Sequence, residues 1–100
     1  MSKLIKDGKV AIAVSYGFGG GWSTWNKVAP DDARFNTLFL EGKHEEAEEL
    51  AEKLDLGFVG GADQVVIEWL DVGTEYMIEE YDGAESLILK EDRGDMWTVA

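Results

Sequence analysis

The chain contains no cysteine, a single proline and a single histidine. The missing cysteine excludes a disulfide scaffold and any thiolate metal site. With His44 alone, Ser15 and Ser23 have little from which to assemble a Ser–His–Asp constellation. No apolar run approaches the roughly 18 residues of a membrane span, so no membrane partner is expected. The opening "MSKLIKDGK" has no long apolar segment and does not read as a signal peptide, so a cytosolic location is expected. Positive charge is also scarce. Nine basic residues stand against 21 acidic ones, for a net charge of −12. Such a surface repels the phosphate backbone, so direct binding of nucleic acid is not expected. It attracts basic protein surfaces, including those that normally hold nucleic acid. The plainer reading of the same charge is solubility.

What is present points to one folded domain over residues 1–100. Hydrophobic residues make up 45% of the chain and aromatics 11%, enough for a modest core without staples. "KVAIAVSY" reads as a strand with Val10, Ile12, Val14 and Tyr16 on one face. Its other face, Ala11, Ala13 and Ser15, is small enough for a close neighbour. After a glycine-rich loop, Pro30, Asp31 and Asp32 mark a helix start. Phe35, Leu38 and Phe39 recur at helical spacing, and Gly42 ends that helix. "HEEAEELAEKL" gives a second helix with Ala47, Leu50, Ala51 and Leu54 as its stripe and Gly57 as its stop.

The second half alternates as strands. "QVVIEWL", "EYMIEEY" and "ESLILK" are joined by links centred on Val72-Gly73 and Asp82-Gly83, the latter a strong hairpin signal. Two-residue turns place Trp69 opposite Tyr76, Ile67 opposite Ile78, Ile78 opposite Leu87 and Tyr76 opposite Leu89. Val65 joins these on one apolar face. Glu68, Glu75, Glu79 and Lys90 fall on the other, with Glu75 opposite Lys90. Glu80 falls on the apolar side near its rim, as an edge carboxylate with a solvated head group. "MWTVA" adds a last short strand. The expected fold is α+β, a single antiparallel sheet in β-α-α-β-β-β order packed against two helices.

Chemistry-bearing patterns are few. His44 and Glu48 share a helical face with Glu45 adjacent, but no HExxH or EF-hand spacing accompanies them, and a charged helix face is usually a solvated one. No cofactor is expected, and a small metal-dependent enzyme is the distant alternative. The strongest feature is "GFGGGWSTWN". A glycine loop directly after a strand turns backbone N–H groups toward an anion. Gly17, Gly19, Gly20 and Gly21 would form such a cradle, Ser23 or Thr24 would cap or touch a ligand, and Trp22 and Trp25 would stack on a flat ring. The spacing is neither GxGxxG nor GxxxxGK[ST]. The structural alternative is a turn pinned by its tryptophans, one anchoring the loop and the other keeping some exposed ring.

"KLIKDGKVAIAVSYGFGGGWSTWN", "GGADQVVIEW" and "EYDGAESLIL" resemble a group of small acidic proteins of phages and prophages. The likeness covers most of the chain and rests on whole phrases rather than a motif with known chemistry. It implies a setting: an accessory protein that inhibits host machinery or anti-phage defence, either by binding a defence protein or by sequestering its nucleotide signal. The sequence expectation is therefore a non-enzymatic inhibitor that docks on a basic host or defence protein through helix glutamates such as Glu45, Glu48, Glu49 and Glu52. The alternative is a nucleotide-like small ligand held by the glycine loop with Trp22 and Trp25.

Overall fold

The computed structural model describes residues 3–17, 21–26, 28–54, 61–82, 84–89 and 98–99. The element order is β1 (Ile5–Lys6), β2 (Lys9–Ser15), α1 (Ala33–Leu40), α2 (His44–Lys53), a short 3-10 turn (Ala62–Gln64), β3 (Val65–Asp71), β4 (Glu75–Tyr81), β5 (Ala84–Leu89) and β6 (Thr98–Val99). The class is α+β, as the residue pattern implies. Among the described residues no helix is long and apolar enough to cross a membrane.

The strands form two small antiparallel sheets rather than one, ordered β1-β2-β3 and β5-β4-β6. The expected hairpin between β3 and β4 is absent from the described pairings, so Trp69 does not face Tyr76 and Ile67 does not face Ile78. Trp69 pairs with Ala11 and Ile67 with Ala13 instead. Turn chemistry explains the difference. The turn is closed by Thr74 N–H donating to the Asp71 carbonyl at 3.0 Å. Val72 is β-branched and keeps a negative φ, while Gly73 sits at +93°. That is the pattern of a type II turn, whose twist splays the flanking strands instead of pairing them. The chain therefore leaves one sheet at Val72-Gly73 and enters the other.

Asp-Gly links behave differently. Asp7 and Gly8 both have positive φ, at 54° and 75°, and Lys6 pairs directly with Lys9 across them. This makes β1 and β2 a tight hairpin. Asp82 has φ 50°, and Tyr81 pairs with Ala84 across the second Asp-Gly link. The expected pairs Tyr76–Leu89 and Ile78–Leu87 follow from it. β6 pairs with the other edge of β4, Thr98 opposite Tyr76. Gly57, Gly83 and Lys90, read above as helix stop, turn residue and partner of Glu75, lie outside the described residues.

β2 is the middle of three layers. Its large side chains, Val10, Ile12 and Val14, pack with Tyr76, Ile78, Leu87 and Leu89 of the second sheet. On its small face, Ala13 packs with Trp22, Phe35, Phe39, Ala47, Ala51 and Val65, with Leu50 and Ile67 at the margin. The apolar face expected as continuous from Val65 to Leu89 is therefore divided between two cores. Small residues let α1 come close. Asn36 on α1 donates to the carbonyl oxygens of Ala11 at 2.9 Å and Pro30 at 3.0 Å. α1 starts at Asp32, whose buried carboxylate accepts from Arg34 N–H at 2.9 Å. It ends in a Schellman motif, with Gly42 N–H donating to Phe39 O and Lys43 N–H to Leu38 O. On α2, Ala47 and Ala51 are buried as the stripe requires. Leu54 is exposed, at the C-cap beyond the last turn.

Candidate functional site: a buried carboxylate in the glycine-loop turn

β2 ends at Ser15, and the chain re-enters the described structure at Gly21. There it folds into a tight turn. The Trp22 carbonyl accepts from Trp25 N–H at 3.2 Å, Asn26 N–H at 2.9 Å and Asn26 Nδ2 at 2.9 Å. The Trp22 ring is fully buried. It stands edge-on to Phe35 at 5.4 Å and Phe39 at 5.2 Å between centroids, a favoured aromatic geometry. One side of the turn is thus fixed to the helical core.

The other side closes on Glu85, the second residue of β5. Its side chain is 1% exposed. Oε1 accepts from Ser15 N–H at 2.9 Å. Oε2 accepts from Trp22 N–H at 2.8 Å, Thr24 N–H at 3.1 Å and the Thr24 hydroxyl at 2.6 Å. No ion pair among the described residues reaches this carboxylate. A buried charge without a counter-ion is costly unless fixed dipoles replace its hydration. Here backbone N–H groups and one hydroxyl do so, in the manner of an anion nest. Gly21 makes the close approach possible. A Cβ there would lie 2.5 Å from Thr24 Oγ1, 2.8 Å from Trp25 Cδ1 and 3.2 Å from Glu85 Oε2.

The structure thus brings Gly21, Trp22 and Thr24 together, with the donors assigned to a ligand turned onto the protein's own carboxylate. Gly17, Ser23 and Trp25 are half-buried. Trp22 is the anchor and Trp25 keeps part of its ring accessible, the division expected of the pair. Gly19 and Gly20 lie outside the described residues.

Glu85 is the residue that the sequence reading missed. Leu87 and Leu89 were assigned inward, and a period of two places Glu85 on the same face. Its cross-strand partner Glu80, the carboxylate that the pattern marks on the apolar side, is exposed as a rim carboxylate should be.

A second, acidic feature lies on α2. Glu45, Glu48, Glu49 and Glu52 share one helical face, and with Asp63 and His44 they line an open depression of about 560 Å³. Among the described residues no group of three or more ligating side chains is placed to hold a metal ion. His44 has a structural bond, its Nε2 donating to the Val65 carbonyl at 3.0 Å, and its ring packs on Phe39 at 5.1 Å.

Two tyrosines have perturbed acidity. Burial, and then the charge of Asp31, raises Tyr76. Tyr16 is pushed up to about 12 by burial, by donation to Glu68 and by that residue's charge. No family of known proteins, no curated protein and no solved structure matches the chain.

Proposed function

We propose that this is a non-enzymatic binding protein that docks through the acidic face of α2 on a basic surface of another protein. The resemblance to small phage proteins adds a setting, in which the partner is a host or anti-phage defence component. One observation carries the reading: four glutamates at i, i+3, i+4 and i+7 line a single depression, with Asp63 beside them. Like charges at these spacings each cost a helix a few tenths of a kcal/mol. Glu45 and Glu46 offset part of that at the helix N-terminus. Glu49 and Glu52 lie too far along the helix to do so. A cationic partner would relieve the repulsion on contact and would be steered in by a net charge of −12.

The test separates docking from solubility. Glu45, Glu48, Glu49 and Glu52 are replaced together by Gln, and the free protein's melting temperature and its capture of proteins from infected cells are both measured. The proposal expects the free variant to be equally or more stable. It should lose a partner whose association with the wild type slows steeply between low and physiological salt. Partner association independent of both salt and the four glutamates would overturn it. The nucleotide-like alternative is the weaker reading, because Glu85 already takes the Trp22 and Thr24 donors of the loop.

A further inference from the structure

We infer that the Gly21–Thr24 turn, together with the Ser15 amide, is a carboxylate-binding site whose resident ligand is the protein's own Glu85. Three independent observations converge on it. Among the described residues four donors converge on Glu85: Ser15 N–H on one oxygen, and Trp22 N–H, Thr24 N–H and Thr24 Oγ1–H on the other. The carboxylate is 1% exposed, with no cation against it among the described residues. Recognition therefore rests on oriented dipoles alone. Finally, Gly21 leaves empty the space a side chain would take from the oxygen and from Thr24.

This arrangement resolves a conflict in the sequence. A protein of charge −12 repels free anions, and yet its Gly21–Thr24 turn directs donors inward as an anion cradle does. Tethering the anion to β5 removes the encounter problem. The ligand arrives with the chain, at high effective concentration, and its binding joins the loop to the second sheet. Glu85 is accordingly a latch between two layers, and the site is closed to outside anions while the latch is seated.

Size-matched chemical rescue tests this. Glu85→Ala deletes the atoms that acetate supplies, and Glu85→Gly deletes those of propionate. Melting temperatures of wild type and both variants are measured in acetate, propionate and chloride at equal ionic strength. Acetate should raise the melting temperature of Glu85→Ala saturably, by roughly 4 °C or more. Propionate should do more than acetate for Glu85→Gly, and the wild type should respond to neither. Folded variants with no carboxylate-specific rise, or a wild type that rises equally, would overturn the inference. Glu85→Gln supplies an independent reading should the truncated variants not fold. Its amide turns a donor toward Ser15 N–H or toward the Trp22 and Thr24 donors. It should melt clearly below wild type, and a melting temperature equal to wild type would overturn the site.

Discussion

The Thr24 hydroxyl donates to Glu85 Oε2 at 2.6 Å, the shortest of the four bonds on that carboxylate and the one made by a side chain. It is therefore the bond that mutation can remove without touching the backbone. Hydrogen bonds to charged groups contribute about 1.5–3 kcal/mol, more than neutral ones. Thr24→Val keeps the shape and deletes the donor, so it should destabilise by that order in a denaturant titration. Thr24→Ser keeps the hydroxyl and should recover most of the loss. A loss in Ser with none in Val would assign the effect to the methyl group instead.

Gly21 and Gly17 bracket the loop but face different neighbours. A Cβ on Gly21 meets Trp25 at 2.8 Å and Thr24 Oγ1 at 2.5 Å, inside the turn that grips Glu85. The nearest atoms a Cβ on Gly17 would meet belong to the side chain of Gln64, an exposed residue free to swing aside. Gly21→Ala should therefore cost about 1–3 kcal/mol by overpacking, and Gly17→Ala less than about 1 kcal/mol. Thermal or urea unfolding of the two variants checks the order, and the reverse order would show that the tight approach lies elsewhere.

These contacts show what the residue pattern carried and what it withheld. Alternation in β4 and β5, with an Asp-Gly link, defined the pairs Ile78–Leu87 and Tyr76–Leu89 because both turn residues tolerate positive φ. The same reasoning placed Trp69 opposite Tyr76 wrongly, since a turn containing Val72 cannot adopt that conformation. The Asp7-Gly8 hairpin carries the same local signal. β2 carried its large and small faces correctly from Val10 to Ser15, but Tyr16, read onto the large face, lies beyond the strand end and is exposed, and alternation alone does not say that each face meets a different layer. For the site, the glycine loop was visible and its occupant was not. The bond from Glu85 to Ser15 spans 70 residues, a separation that no local spacing encodes.

Tyr76 is buried on the inner face of the second sheet, and its hydroxyl has no hydrogen-bond partner among the described residues. Burial raises its pKa above the ordinary 10.0, and so does the charge of Asp31. Tyr16 rises to about 12. A group whose folded value is raised contributes stability that is complete below the unfolded value. That stability is lost as pH climbs through the folded value. The protein should therefore lose stability progressively above about pH 10, as the unfolded chain ionises tyrosines that the fold keeps neutral. Tyr76→Phe should match or exceed wild-type stability at pH 7, because it deletes an unpaired buried hydroxyl, and it should flatten the alkaline loss. Melting temperatures from pH 7 to 11.5 measure both effects. A marked loss at pH 7 would reveal a partner for the hydroxyl.

The two tryptophans of the loop separate anchoring from contact. Trp22 is enclosed by Phe35 and Phe39 and lies in the core with Ala13, Ala47 and Val65. Trp22→Ala should cost about 3–5 kcal/mol, as large aromatic truncations in cores do. It should also loosen the grip on Glu85, because the Trp22 amide is one of that carboxylate's donors. Trp25 is only half-buried, so Trp25→Ala should cost distinctly less. If Trp25 belongs to a partner surface, its replacement should weaken capture of that partner while the fold stays near wild-type stability. Both variants are measured by urea unfolding, with hydrogen exchange at the Ser15 and Thr24 amides as a local probe. Faster exchange at both amides in Trp22→Ala, with protection kept in Trp25→Ala, is the expected pattern. Comparable stability losses in the two variants would instead make the turn a single core unit with no ring set aside for contact.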